Sequence, residues 1–343
     1  MEEYSIYMKR ALELAGYGRG KVSPNPMVGC VIVHKDKIIG EGWHKSYGDP
    51  HAEVNAVDDV EDKSLLNEST LVVTLEPCSH WGKTPPCADL IIKHKIPKVV
   101  ICNVDSNPLV GGKGIIKLKE AGTEVISGVM ETEGRDLNKR FFNFLENKRP
   151  FIILKWAETS DGFIAREDFS SKWISNELSR KLVHKWRAEE DSIMVGTKTA
   201  FYDNPQLNVR HWVGSSPIRI VIDRNLSLPK TLNIFDTSQT TLCYNSTRDE
   251  SQEYNQYIKL DYSLPVLPQI LEDLYRRQIQ SVIVEGGAKL MDEFMKINMW
   301  DEIRCFRSKA VFGKGIKAPQ IEGVLISEEK ILDNTLKIYR PKI

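Results

Sequence analysis

In this 343-residue chain, His51, Glu53, Cys78 and Cys87 are the residues whose types and spacing could do chemistry. One His and two Cys form a set suited to Zn2+ with a fourth position open for water, whose pKa then falls to ~7. His51-Ala52-Glu53 follows Asp49-Pro50, a helix-start signal. Positions i and i+2 of a helix do not share a face, so Glu53 is not expected to ligate beside His51. It is left free to take a proton from water and pass it to a leaving nitrogen. Thr74-Leu75-Glu76-Pro77-Cys78 reads as a strand ending in Cys, and Pro85-Pro86-Cys87 opens the next helix. A helix N-terminus lowers a thiol's pKa, so Cys87 is expected to be a thiolate. A purely structural zinc would need a fourth protein ligand, which His44 or His80 could supply.

The elements that must position these residues are legible from periodicity. Tyr4, Met8, Ala11, Leu12 and Ala15 share a helical face, with Gly16 as its stop. Strands are expected at 28–33, 37–41, 70–75, 98–104 and 124–127, and helices at 51–60, 88–95, 118–121 and 137–145. Glu146-Asn147-Lys148-Arg149-Pro150 is short, polar and ended by Pro, which places a boundary there and predicts domains 1–146 and 147–343. The second half repeats the alternation: strands at 151–157, 192–195, 219–222, 240–244 and 281–284, helices at 176–189, 269–278 and 288–295. Both halves read as α/β.

Composition limits the partners. Lys plus Arg and Asp plus Glu are both 47, and residues 1–150 hold 20 basic and 21 acidic side chains, so neither half is a basic nucleic-acid module. Mean hydropathy is −0.33, and no apolar run approaches the ~18 residues of a membrane span. There is no basic segment followed by an apolar core of the secretory kind. Six Cys in such a chain predict reduced thiols in the cytoplasm. Cys30, Cys102, Cys243 and Cys305 lie in apolar stretches and read as packing residues.

The metal set has the chemistry of the zinc nucleobase deaminases, whose common pattern is His-x-Glu with Pro-Cys-x-x-Cys. Here eight residues separate the two Cys. The string 74–87, TLEPCSHWGKTPPC, closely resembles the deaminase half of the bifunctional riboflavin-biosynthesis deaminase–reductases, a family that uses the longer gap. Ser23-Pro24-Asn25-Pro26-Met27-Val28-Gly29, Gly42-Trp43-His44 and the glycine-rich 105–114 agree with it. So do Lys155-Trp156-Ala157-Glu158-Thr159-Ser160-Asp161-Gly162, 171–174, 184–187, Asp203-Asn204-Pro205, and Val284-Glu285-Gly286-Gly287 in the second half. Thr159, Ser160 and Asn204 depart from the family pattern.

The resemblance implies an N-terminal cytidine-deaminase-like α/β/α domain and a C-terminal dihydrofolate-reductase-like α/β domain. Its substrate would be 2,5-diamino-6-ribosylamino-4(3H)-pyrimidinone 5′-phosphate. Zinc-dependent hydrolytic deamination would be followed by NADPH-dependent reduction of the ribosyl chain, giving 5-amino-6-(D-ribitylamino)uracil 5′-phosphate. Carried over by position, His51, Cys78 and Cys87 hold Zn2+ and Glu53 shuttles protons. Asn25, His44, His80 and Lys83 bind the deaminase substrate. Ala157, Trp173, Thr199, Asp203 and Gly287 face NADPH, and Lys155, Ser171, Arg187, Leu207, Arg210 and Glu285 face the reductase substrate. There is no Gly-x-Gly-x-x-Gly; a Glu-Gly-Gly turn between strand and helix stands where backbone N–H groups could cradle phosphate. The resemblance also implies a homo-oligomer. The alternatives are a nucleic-acid base deaminase, which balanced charge disfavours, and a non-enzymatic zinc-binding module.

Overall fold

A computed structural model describes residues 2–81, 85–107, 111–170 and 174–342. The chain divides into two units, 1–148 and 149–343.

The first unit runs α1 (Ser5–Gly16), β1 (Gly29–His34), β2 (Lys37–Trp43), α2 (Ala52–Asp59), β3 (Thr70–Leu75), α3 (Cys87–Lys93), β4 (Lys98–Asn103), α4 (Lys113–Glu120), β5 (Glu124–Ser127), α5 (Glu131–Leu137) and α6 (Lys139–Asn147). Its sheet has the order β2-β1-β3-β4-β5, antiparallel around β1 and parallel from β3 to β5. Successive strand residues point to opposite faces, and the two faces build different cores. Cys30, Ile32, Leu71, Val73, Val99 and Ile101 pack with Ala52, Ala56 and Val57 of α2 and with Ala88 and Ile91 of α3. Val31, Val33, Val72, Val100 and Cys102 pack with Met8, Ala11 and Leu14 of α1. Helices thus cover both faces, the α/β/α arrangement. Lys35 and Asp36, at φ 45° and 62°, form the two-residue hairpin turn whose twist suits β1 and β2.

The helix carrying Glu53 lies directly on β2. A Cβ at Gly42 would stand 2.3 Å from the Ala56 backbone nitrogen. Gly42→Ala is therefore expected to destabilise the first unit by about 1–3 kcal/mol through overpacking. Denaturant unfolding measures this, and an unchanged midpoint would refute the close approach.

The second unit runs β6 (Phe151–Glu158), β7 (Phe163–Ala165), α7 (Glu177–Glu189), β8 (Ser192–Gly196), α8 (Thr197–Asp203), β9 (Ile218–Ile222), β10 (Thr241–Asn245), β11 (Glu250–Ser251), β12 (Asn255–Lys259), α9 (Val266–Arg276), β13 (Ser281–Val284), α10 (Ala288–Lys296), β14 (Glu302–Arg307), β15 (Ile316–Lys317), β16 (Gly323–Ile331) and β17 (Asn334–Pro341). Its large sheet has the order β11-β12-β10-β9-β8-β13-β6-β14-β17-β16. Pairing is parallel from β12 to β14 and antiparallel at both ends. Ile152, Leu154, Met194 and Leu242 pack with α9 and α10, through residues such as Ile270 and Phe294. Phe151, Ile153, Ile193 and Val195 pack on the other face with Val183 and Trp186 of α7 and Ala200 of α8. In such doubly wound sheets ligands bind outside the carboxyl ends of the strands. Gly196 and the Glu285-Gly286-Gly287 turn lie there.

Candidate active sites

Three elements converge in the first unit. β3 ends at Leu75, and Glu76-Pro77 leads the chain to Cys78; Cys87 begins α3; His51 caps α2 in an extended conformation, with φ −69° and ψ 162°. His51 Nδ1 lies 3.2 Å from Cys87 Sγ and 3.6 Å from Cys78 Sγ, and the three ligand atoms lie within 4.8 Å of one another. Ligands of tetrahedral zinc, with Zn–S of about 2.3 Å and Zn–N of about 2.0 Å, stand about 3.5 Å apart. The triad therefore fits Zn2+ in ligand type and in spacing. His44 is not a fourth ligand: its Nδ1 meets the Pro50 carbonyl at 3.2 Å and its Nε2 meets Asn25 Nδ2 at 3.1 Å. Those partners fix a neutral ring with its proton on Nδ1, and burial lowers its pKa further.

Contacts from Cys87 first and His51 second pull the Cys78 thiol down, and the Cys87 backbone N–H reaches Cys78 Sγ at 3.3 Å; with Zn2+ bound, both sulfurs would be thiolates. The first-turn amide of α3 thus serves the neighbouring sulfur, and Cys87, donating to Cys78 and buried, is held well above its ordinary value. Glu53 is 3 % exposed. Burial first, and the Cys78 charge second, push it up to about 7. A cation in the triad opposes both effects and favours the carboxylate.

The cleft above the triad has a volume of ≈ 350 Å³ and is lined by Asn25, His44, His51, Glu53, Cys78 and His80. Of the residues expected in this site, Cys87 lies behind the lining, in contact with His51, and Lys83 lies outside the described residues. Asp49, Asp105, Asn107 and Phe141 also line it. Asp105 and Asn107 fall in the glycine-rich segment noted in the sequence; no local signal marks Phe141. Glu76 is buried and organises that segment. Its carboxylate accepts the backbone N–H groups of Asp105 and Gly112 on one oxygen, at 3.3 and 2.9 Å, and of Gly114 and Ile115 on the other, at 2.8 and 3.3 Å.

A second cluster occupies the other unit. Glu285, just past β13, accepts from Arg187 Nε and Nη2, both at 2.8 Å, and from Lys155 Nζ at 3.3 Å. Burial alone would raise Glu285, but Arg187 and Lys155 outweigh it and hold the carboxyl at about 2. Arg187 is thus a buried ion-pair partner with 12 % of its side chain exposed, not a solvated helix residue. Arg187 Nη1 also reaches the Asn208 carbonyl at 3.2 Å, and Arg210 binds the Asn208 side chain at 2.6 Å. Gly286 and Gly287 have φ of 121° and 78°, and a Cβ at Gly286 would stand 2.7 Å from Thr199 Cγ2. That leaves a side-chain-free turn at the start of α10, facing Thr199, a fit for a cofactor's phosphate. Asp203 is four residues from Thr199 and shares its face of α8. Ala157 shares the strand face of Lys155. The Leu207 side chain is 3 % exposed and packs in the core, which leaves its main chain to face a ligand. Ser171 and Trp173 lie outside the described residues.

A family model for the cytidine and deoxycytidylate deaminase zinc-binding region matches residues 1–103, and one for the RibD C-terminal domain matches residues 150–338. The riboflavin biosynthesis protein RibD of Aquifex aeolicus (strain VF5) is 38% identical over 98% of this chain and 94% of its own. The chain belongs to the RibD family. A crystal structure of a diaminohydroxyphosphoribosylaminopyrimidine deaminase/5-amino-6-(5-phosphoribosylamino)uracil reductase from Thermotoga maritima matches with TM-score 0.91 and 39% identity, covering 99% of both chains. RibD of Acinetobacter baumannii matches with TM-score 0.92 and 33% identity, covering 100% of this chain and 99% of its own. As a RibD, the chain pairs a cytidine-deaminase-like domain with a dihydrofolate-reductase-like domain. It is a bifunctional riboflavin-biosynthesis enzyme with deaminase and reductase activities. Zn2+ and NADPH, the cofactors that go with these RibD domains, fit the residues described. Among the described residues no helix is long and apolar enough to cross a membrane.

Proposed function

We propose that the two clusters divide the reaction sequence residue by residue. His51, Cys78 and Cys87 hold Zn2+, which when bound supplies activation of water at neutral pH. Glu53 takes a proton from the attacking water and delivers it to the departing amino nitrogen, so that ammonia leaves the pyrimidine ring. Asn25 offers both donor and acceptor to the pyrimidine edge, and His44 fixes its amide through the 3.1 Å bond. His80 and Lys83 complete the substrate site. The observation that carries this reading is a buried Glu53 in one cleft with a zinc-spaced His-Cys-Cys triad.

NADPH supplies the hydride for the second step. Thr199, Asp203, Ala157, Trp173 and the turn at Gly287 face it. Arg187 and Arg210 grip the sugar phosphate, for which a guanidinium is suited. Glu285 aligns Arg187 and Lys155 beside the opened sugar, with Ser171 and the main chain at Leu207 nearby. The substrate is a small ribosylaminopyrimidine phosphate, not nucleic acid. The chain works as a homo-oligomer, as the family resemblance implies, in a reducing cytoplasm that keeps its six unpaired Cys as thiols.

Mass spectrometry of products tests both halves. Zinc-loaded protein given the diaminopyrimidinone ribosylamino phosphate is expected to exchange one amino group for oxygen without NADPH, and to add two hydrogens when NADPH is present. Chelation of zinc is expected to stop the first step and leave NADPH-dependent reduction of the deaminated pyrimidine intact. Unchanged substrate in both reactions, with zinc bound, would remove the assignment.

A further inference from the structure

The zinc-binding match ends at residue 103, yet the cleft is completed by an element much later in the chain. Phe141, in the first turn of α6, lines the same cavity as Asn25, His44, His51 and Glu53. The anchoring of α6 is specific. Leu137 packs against Ala15, Val22 and Met27. Asn138 is 3 % exposed and clasps the backbone of Met27: its Nδ2 donates to the Met27 carbonyl and its Oδ1 accepts the Met27 N–H, both at 2.8 Å. Met27 is two residues from Asn25, so the start of α6 and the Asn25 loop form one wall.

The burial of α6 separates two kinds of Phe. Phe142 and Phe144 are buried and hold the helix in place. Phe141 is only half-buried, braced edge-on by Phe142 with ring centroids 5.5 Å apart. Its ring stands in a cleft that Tyr47, Pro26, Val28 and Leu75 also line beside the polar groups. A planar heteroaromatic ring is the ligand such a surface holds, because every base has a π-face to stack.

We infer that Phe141 is a substrate-contact residue of the deaminase, its ring being an apolar surface against which the pyrimidinone is held. Asn138 is the positioning residue that sets this wall against Asn25. The inference rests on the deaminase reading above and extends the site beyond the shared zinc-binding region.

Steady-state ammonia release by the full-length, zinc-loaded chain tests it, with the diaminopyrimidinone ribosylamino phosphate as substrate. Phe141→Ala is expected to raise KM roughly ten- to a hundredfold, the usual cost of losing one base–aromatic stack. It is expected to keep kcat within about threefold, because uniform binding is what is removed. Phe141→Leu falls between, and Phe141→Tyr stays near the parent. Asn138→Ala raises KM in the same direction. Bound zinc in the same preparations reports that the first unit of each variant is folded, and NADPH-dependent reduction of the deaminated pyrimidine reports the same of the second. An unchanged KM in Phe141→Ala overturns the inference. So does a loss of bound zinc in both Phe141→Ala and Phe141→Leu, which would make Phe141 a packing residue. A parent chain that binds zinc and releases no ammonia overturns the deaminase reading itself, and the inference with it.

Discussion

Glu53→Gln is expected to slow ammonia release by about 10²–10⁴-fold, the usual worth of a positioned acid–base group. The amide preserves size and polarity but cannot accept the proton that must leave the water. Glu53 is 3 % exposed, so no bulk solvent stands ready to substitute for it. The side chain is outside the His51-Cys78-Cys87 triad, so zinc content is expected to stay at one ion per chain. Reduction of the deaminated pyrimidine provides an internal control, because the second unit carries its own sheet and cluster. Paired measurements of ammonia release, bound zinc and NADPH oxidation decide the matter. Deamination near the parental rate with zinc bound would remove Glu53 from the mechanism and revive the binding-module alternative.

The second large effect is expected at Glu285. Its carboxylate sits between Arg187 and Lys155, with side-chain exposures of 8 %, 12 % and 15 %. Removing one partner of a buried ion pair leaves an uncompensated charge and costs about 3–5 kcal/mol. Glu285→Gln is therefore expected to destabilise the chain by about that amount and to abolish measurable NADPH oxidation, while leaving the zinc triad occupied. Acid behaviour carries a further signature. The folded-state value of about 2 lies below the ordinary carboxylate value of 4.5, so the ionised form favours the folded state. That contribution is complete above about pH 4.5 and is lost as pH falls toward 2. Denaturant midpoints measured through this window should fall more steeply for the parent than for Glu285→Gln. Parallel curves would show that Glu285 is not held ionised by its neighbours.

Much of this architecture was legible because two periodicities write it. The strands at 70–75 and 281–284 lie where their apolar runs predict them, since each run is buried on both faces and bounded by turn residues; the strand at 124–127, half-buried at Val125 and Ile126, also lies where expected. Helix α1 follows its Met8, Ala11 and Ala15 stripe. What the sequence hides is structure stabilised from a distance. Only 118–121 read as helix in the region of α4, yet α4 begins at Lys113, because Glu76, remote in sequence, accepts the N–H groups of Gly114 and Ile115. Helix α5 contains Gly134, a poor helix former, packed so closely that a Cβ would stand 2.0 Å from Asn103 Oδ1. In the site, zinc ligands are legible because their chemistry restricts residue type. Phe141 is not, since an apolar residue on an amphipathic helix carries no mark of facing a cleft. Position at a helix start is likewise visible in sequence, but which sulfur the first amide points at is not: the Cys87 N–H meets Cys78 Sγ.

The carboxylate of Glu76 has a consequence for how the substrate's anionic end is recognised. Glycine-rich segments leading into a helix, as Gly111-Gly112-Lys113-Gly114 leads into α4, commonly present backbone N–H groups to a ligand's phosphate. In this chain the amides of Asp105, Gly112, Gly114 and Ile115 already converge on an anion, and that anion is the protein's own. The nest is self-filled. A 5′-phosphate reaching this segment would meet a backbone cradle already occupied from within. The glycine-rich segment serves as fixed masonry, set in place by Glu76.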